Sequence, residues 1–184
     1  MTRPPPAAAL LGRSLEAAGY KVAILSQPDW KSADAWRAMG PPRLFYAVSA
    51  GNMDSMINHY TANRKRRNDD AYSPDGEIGL RPDRPTGIYA QRCREAFKGV
   101  PVIVGGIEAS LRRLPHYDYW SDRVMPSMLV SSKADLLVFG LGDKPILEIA
   151  RRIDEGETPK DLRDMRGVCY LLGRKEPRPD VECD

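Results

Sequence analysis

Asp135–Gly156 reads DLLVFGLGDKPILEIARRIDEG, and this stretch decides the fold. Behind Asp135 the residues to Phe139 are apolar without alternation, which predicts a strand covered on both faces. Gly140-Leu141-Gly142 supplies a tight turn, and Asp143 is placed to accept backbone N–H bonds at a helix start. Ile146, Ile149, Ala150 and Ile153 then recur at helical spacing until Gly156 ends the pattern. Strand, turn and amphipathic helix in this order are the building block of a parallel α/β sheet.

Three further apolar runs repeat the signal: Lys21–Leu25 (KVAIL), Leu44–Ser49 (LFYAVS) and Pro101–Gly105 (PVIVG). Helical faces lie between them. Leu11, Leu15 and Ala18 precede Gly19; Ser32 caps a short helix with Trp36 and Met39; Tyr89, Cys93, Ala96 and Phe97 precede Gly99. The expected fold is α/β, a doubly wound and mainly parallel Rossmann-like sheet. Such a sheet usually opens on a central strand, whereas this chain opens on a helix, so its first strand is expected to be lacking.

The layout predicts a Rossmann-like domain over residues 1–155 with a long polar insertion at about 52–84. Loops of that length in compact domains are functional or disordered. Residues 156–184 read as a connecting segment. Gly167–Leu172 (GVCYLL) forms a strand or hairpin arm within it, and RKEPRPDVECD closes it as a linker.

Composition narrows the function. Among 184 residues, 28 Lys and Arg face 25 Asp and Glu, a net charge of +3 that excludes a strongly basic or acidic arm. No apolar run approaches the ~18 residues needed to cross a bilayer. The chain is therefore read as soluble and cytoplasmic, with no membrane partner. Cys93, Cys169 and Cys183 are scattered, which supports neither a disulfide framework nor a metal cluster on this chain's own thiols.

In a parallel sheet, ligands bind beyond the carboxyl ends of the strands. Three such ends are rich in glycine and polar groups. The candidate binding residues are Ser49, Gly51, Asn52 and Asp54 after one strand, and Gly105, Gly106, Glu108, Arg112 and Tyr117 after another. Gly140, Gly142 and Asp143 follow the last. Glycines allow close backbone approach, and helix N-termini attract anions. Glu108, His116 and Asp118 are the candidate acid/base residues. Each also has a structural reading: Glu108 as a loop carboxylate salt-bridged to Arg112 or Arg113, His116 as packing beneath a loop. Gly140-Leu141-Gly142 lacks the third glycine of a dinucleotide fingerprint.

Arg64-Lys65-Arg66-Arg67, with Tyr60 and Tyr72 as stacking partners, invites a nucleic-acid reading. Between Asn52 and Arg84, however, six basic residues meet six acidic ones, leaving little counterion-release energy. Nucleic acid is disfavoured, and a mixed-charge lid or interdomain contact fits better.

Four long segments carry a family resemblance: Gly12–Trp30 (GRSLEAAGYKVAILSQPDW), Ala50–Gly76 (AGNMDSMINHYTANRKRRNDDAYSPDG), Gly105–Asp122 (GGIEASLRRLPHYDYWSD) and Ser132–Arg152 (SKADLLVFGLGDKPILEIARR). Together they resemble the amino-terminal region of YgiQ-type radical SAM proteins, from about residue 10 to 172. The resemblance implies a fold like the cobalamin-binding domains that precede many radical SAM barrels. It also implies a downstream barrel, missing here, whose Cys-x-x-x-Cys-x-x-Cys motif holds a 4Fe–4S cluster. That cluster binds S-adenosylmethionine and cleaves it to a 5′-deoxyadenosyl radical. This sequence has no such motif, so no cofactor is expected to be ligated by this chain. An Asp-x-His-x-x-Gly lower-ligand motif is also missing, which leaves cobalamin unsupported except in a mode without a protein histidine. The resulting expectation is an accessory domain, inactive alone, enclosing an unknown substrate or a cofactor against the barrel. The alternatives are a non-catalytic corrinoid- or nucleotide-binding module, or a protein or RNA docking domain.

Overall fold

The computed structural model describes residues 5–177. Four strands form the main sheet: β1 (Tyr46–Ser49), β2 (Val102–Gly105), β5 (Leu136–Val138) and β6 (Val168–Cys169), in the spatial order β1-β2-β5-β6. β1 and β2 pair in parallel with Tyr46 opposite Val102 and Ser49 opposite Gly105. β5 joins in parallel, with Ile103 opposite Leu136. β6 closes the far side antiparallel to β5, so the fourth strand comes from beyond Gly156. The sheet is thus α/β and mainly parallel.

Alternation along the strands explains the two layers around it. Val48, Val102, Val104 and Leu137 point to one face, where they meet Trp36 of α2 (Asp34–Arg37), Ala90 and Cys93 of α4 (Pro85–Ala96), and Met128 and Leu129 of α6 (Met128–Ser132). Ile103, Leu136 and Val138 point to the other, beneath Ile149 of α7 (Asp143–Asp154) and Leu162 of a 3-10 turn, Asp161–Asp164. β2 and β5 bury nearly every side chain, as their unbroken apolar sequences require. The helix α1 (Pro6–Ala17) lies against α7.

Two sequence expectations need correction. Lys21–Leu25 is not a strand: its residues make no backbone–backbone hydrogen bond to any described residue. A strand exists only through its ladder, and apolar sequence alone cannot supply the partner. Asp143 is not the cap of α7 either. Gly142 occupies that position, no side chain caps the helix, and Asp143 sits in the first turn, where its charge complements the helix dipole.

The insertion is not structureless. It contains α3 (Ser55–His59), an isolated antiparallel bridge between Tyr60 and Arg66, and a 3-10 turn at Pro74–Gly76. After β2 come α5 (Gly106–Leu111), the hairpin β3 (His116–Asp118) and β4 (Arg123–Met125), and then α6. Cys183 and most of the predicted linker lie outside the described residues.

Candidate functional site

The parallel strands β1, β2 and β5 place their carboxyl ends on one edge of the sheet, and the predicted glycines collect there. Ser49 ends β1, exposed, and its Oγ accepts from the Gly51 N–H at 3.1 Å. Gly106 begins α5 directly after β2 at φ +78°; a Cβ built there would stand 2.5 Å from the Ser49 Oγ. The Gly106 backbone therefore passes against the Ser49 side chain, which a Cβ at this point would have to displace. Gly51 (φ +99°) and Gly140 (φ +77°) also take left-handed conformations. Gly105 packs toward the Val138 carbonyl, 3.3 Å from where its Cβ would be, and Gly142 lies near Leu11. Asn52 is exposed at the same edge.

Gly106→Ala is expected to lower stability by roughly 1–3 kcal/mol through its backbone conformation. It should also displace the Ser49 hydroxyl. Adding Ser49→Ala should recover part of the loss in chemical denaturation; no recovery would mean that the contact with Ser49 is unimportant.

The predicted acid/base residues divide differently from the sequence expectation. Glu108 is fully buried in α5 and, contrary to the salt-bridge reading, has no arginine partner among the described residues. It accepts from the Ser55 N–H (3.2 Å), the Ser55 hydroxyl (2.7 Å) and the Thr86 N–H (3.1 Å). Ser55 opens α3 and Thr86 lies in the first turn of α4, so one carboxylate caps two helices from a third. Buried and holding three donors, this carboxylate is placed for anchorage.

Asp54 is the partner that Glu108 was expected to be. It caps α3 by accepting from the Met56 N–H at 3.0 Å and forms a buried two-pronged pair with Arg112. Burial pulls the Arg112 guanidinium down from its ordinary range. Asp118, buried in β3, accepts from Arg84 (2.7 Å) and from the backbone and hydroxyl of Ser121. Burial alone would raise its carboxyl, but the bonds from Ser121 and Arg84 outweigh it and hold it at about 2. The Arg84 backbone N–H in turn donates to the Ser55 hydroxyl at 2.8 Å, so Asp118, Arg84, Ser55 and Glu108 form one connected network.

His116 and Tyr117 stand outside it. The His116 ring is half-buried with Nδ1 3.1 Å from the Leu114 carbonyl, while the exposed Tyr117 hydroxyl donates to Asp122. Sequence reasoning missed Ser55 and Thr86, which meet at Glu108, and Arg84, which links Asp118 to Ser55; only the fold brings these partners together. It also missed the hub at Asp70, which binds Arg81, Asn58, Ser73 and the Tyr72 N–H. The Asp70–Arg81 spacing carries no motif.

Neither of the two described thiols suits an iron–sulfur cluster. Cys93 is packed in the core, and burial pushes it up to about 12, against the thiolate that a cluster requires. Cys169 is likewise raised by burial. No group of three potential metal ligands occurs among the described residues, and no described helix is long and apolar enough to cross a membrane.

With this geometry established, comparison with known proteins is informative. A family model described as radical SAM N-terminal matches residues 2–183. A UPF0313 protein of Rhodopseudomonas palustris is 57% identical over 174 residues, covering 95% of this chain and 25% of that protein. The UPF0313 protein YgiQ of Escherichia coli K12 is 57% identical over 171 residues, 93% of this chain and 23% of its own. This chain spans about a quarter of the length of these curated relatives. Among solved structures, TsrM from Kitasatospora setae, a radical S-adenosylmethionine methyltransferase with tryptophan substrate and a SAM analogue bound, superposes with a TM-score of 0.62 at 21% identity, covering 94% of this chain and 26% of that one. TsrM with cobalamin and a 4Fe–4S cluster bound gives 0.56 at 19% identity, over 96% and 29% of the respective chains. At these identities the likeness is one of fold.

Proposed function

The chain belongs to the radical SAM N-terminal family, and from that premise we propose that it is an accessory domain whose carboxyl-end crevice encloses a substrate or cofactor against a radical SAM barrel elsewhere in the polypeptide. Cluster binding and S-adenosylmethionine cleavage are assigned to that barrel, since of the described thiols Cys93 is buried in a core and Cys169 packs against it. One observation carries the reading. The edge where Ser49, Gly106 and Gly140 are exposed also presents Ile107 and Leu141, which are 46% and 86% exposed. Apolar side chains so exposed beside a glycine-lined crevice favour a covered surface over one facing water. The residues proposed to line the cavity are Ser49, Gly51, Asn52, Gly105, Gly106, Gly140 and Gly142. Asp54, Glu108, Arg112 and Asp118 hold its walls.

The test is hydrogen exchange on the isolated chain and on the same segment within a full-length relative. Amides at Gly105–Leu111 and Gly140–Asp143 should exchange at least tenfold more slowly in the full-length protein. Equal rates would overturn the enclosure. A second reading, a corrinoid-binding module, is favoured by the fold shared with cobalamin-bound TsrM. Titration of the isolated chain with hydroxocobalamin separates the two: a visible-absorbance change with this chain alone supports the second.

A further inference from the structure

Arg64, Lys65, Arg66 and Arg67 are exposed, and none of them forms an ion pair with a carboxylate among the described residues. The even balance of charged letters in the insertion therefore does not describe its surface. Asp54 is buried against Arg112 and Asp70 against Arg81, while Asp83 is bound by His59 and Tyr60. Asp69, Asp75 and Glu77 are exposed but gather at the 3-10 turn Pro74–Gly76, where the Asp69 Cβ lies 3.7 Å from the Cβ position of Gly76. Arg81 and Arg84 are engaged by Asp70 and Asp118. Four adjacent charges of one sign are left on the turn at 64–67.

Backbone bonds fix that turn. The Thr61 N–H donates to the Lys65 carbonyl at 2.8 Å, and the Arg67 N–H to the carbonyl of buried His59 at 2.8 Å. The β3–β4 hairpin is docked beside it: the Tyr119 hydroxyl donates to the Ala62 carbonyl at 2.9 Å, and the Arg64 guanidinium lies 4.4 Å from the centre of the Tyr119 ring. Side chains alternate along such a hairpin. Asp118 is buried, so Tyr117 and Tyr119 on either side of it turn outward, 59% and 45% exposed. Val124, paired with Tyr117 across the hairpin, is 73% exposed. The bond to Asp122 raises the Tyr117 hydroxyl and the charge of Arg64 opposes it, which makes this ring and the guanidinium neighbours.

We propose that the turn at 64–67 and the outward face of the hairpin bind single-stranded nucleic acid, with phosphates on the four cations and bases stacked on Tyr117 and on the Arg64–Tyr119 pair. An acidic protein surface would use the cations but leave the ring faces without a purpose, and a duplex keeps its bases stacked on one another. Composition disfavoured this partner because it counted acids that the fold pairs internally or holds at a separate turn. The proposal is independent of the enclosure described above, since none of these residues is among those lining that crevice.

The test is fluorescence anisotropy of this chain with labelled oligouridylate and oligothymidylate of about 12 nucleotides, across a series of KCl concentrations. Four neutralised phosphates give a slope of log K against log salt of about −3. Removing two of them with Lys65→Ala plus Arg66→Ala should bring the slope to about −1.5 and weaken binding at least tenfold at low salt. Tyr117→Ala should weaken binding at least fivefold with the slope unchanged, and Tyr117→Phe, which keeps the ring, should restore it. Binding of either oligonucleotide in this manner supports the proposal, and the tighter of the two tells RNA from DNA. No binding at low salt, a slope indifferent to Lys65 and Arg66, or equal affinity for Tyr117→Ala and the parent would overturn it. Equal affinity for a duplex or for oligoglutamate would overturn it as well, the latter assigning the turn to an acidic protein surface.

Discussion

Replacing Glu108 with alanine should lower the stability of the chain by about 4 kcal/mol, the scale expected when a buried charged acceptor is removed from its donors. For a domain of this size that is a fall in Tm of roughly 10 °C. The Ser55 and Thr86 N–H groups belong to first turns, where the helix offers no internal acceptor. The carboxylate satisfies both and bonds the Ser55 hydroxyl as well. Without it, α3 and α4 each lose a cap and the insertion loses its link to the end of β2. Glu108→Gln keeps the volume and one acceptor oxygen but turns an NH2 group toward donors, so about half the loss is expected. Thermal melting followed by circular dichroism checks both variants. A Glu108→Ala melt within about 2 °C of the parent would refute the double-cap role and return Glu108 to the list of groups free to meet a substrate.

This assignment shows where the sequence was legible and where it was not. The strands around Val102–Gly105 and Leu136–Val138 were readable because burial on both faces leaves an apolar run with no alternation. The stripe of α7 was readable because Ile146, Ile149 and Ala150 repeat at the helical period. Both signals are local. Lys21–Leu25 carries the same local signal but has no ladder, since pairing is a property of two segments. Glu108 was recognised as important, yet its partners Ser55 and Thr86 are 53 and 22 residues distant, and nothing local connects them. Polar residues at strand ends are ambiguous from sequence: a carboxylate that caps helices and one that binds ligand have the same letter. The glycines proved more transparent. Gly106 and Gly140 adopt positive φ at the sheet's open edge, a role that their position after apolar runs already suggested.

Acidification should loosen the insertion before it unfolds the sheet, and Asp70 should govern that loss. Asp70 is 1% exposed; its oxygens accept from Arg81 Nε (2.9 Å) and Nη2 (2.7 Å), Asn58 (2.7 Å), Ser73 (2.9 Å) and the Tyr72 N–H (3.0 Å). Burial would raise this carboxyl, but the Arg81 guanidinium and the three further donors outweigh it and hold it well below the ordinary range. Asp118, held at about 2, shifts in the same direction. Between the folded values and the unfolded carboxylate value of about 3.9, the unfolded chain binds more protons. The stability due to both groups is therefore fully present above about pH 4. It is lost as pH falls toward about 2, through the folded value of Asp118, and lower still for Asp70. Asp70→Asn removes the charge that neutralises Arg81, whose side chain is only 4% exposed, and should cost about 3 kcal/mol at pH 7. The same variant should flatten the acid limb of a stability–pH curve measured by urea denaturation. It should also speed amide exchange across residues 58–81 while β2 and β5 stay protected, because the two cores in which those strands lie contain neither Asp70 nor Arg81. An unchanged acid limb would show that Asp70 is not held by its charge, and simultaneous loss of protection in β2 would show that insertion and sheet unfold as one unit.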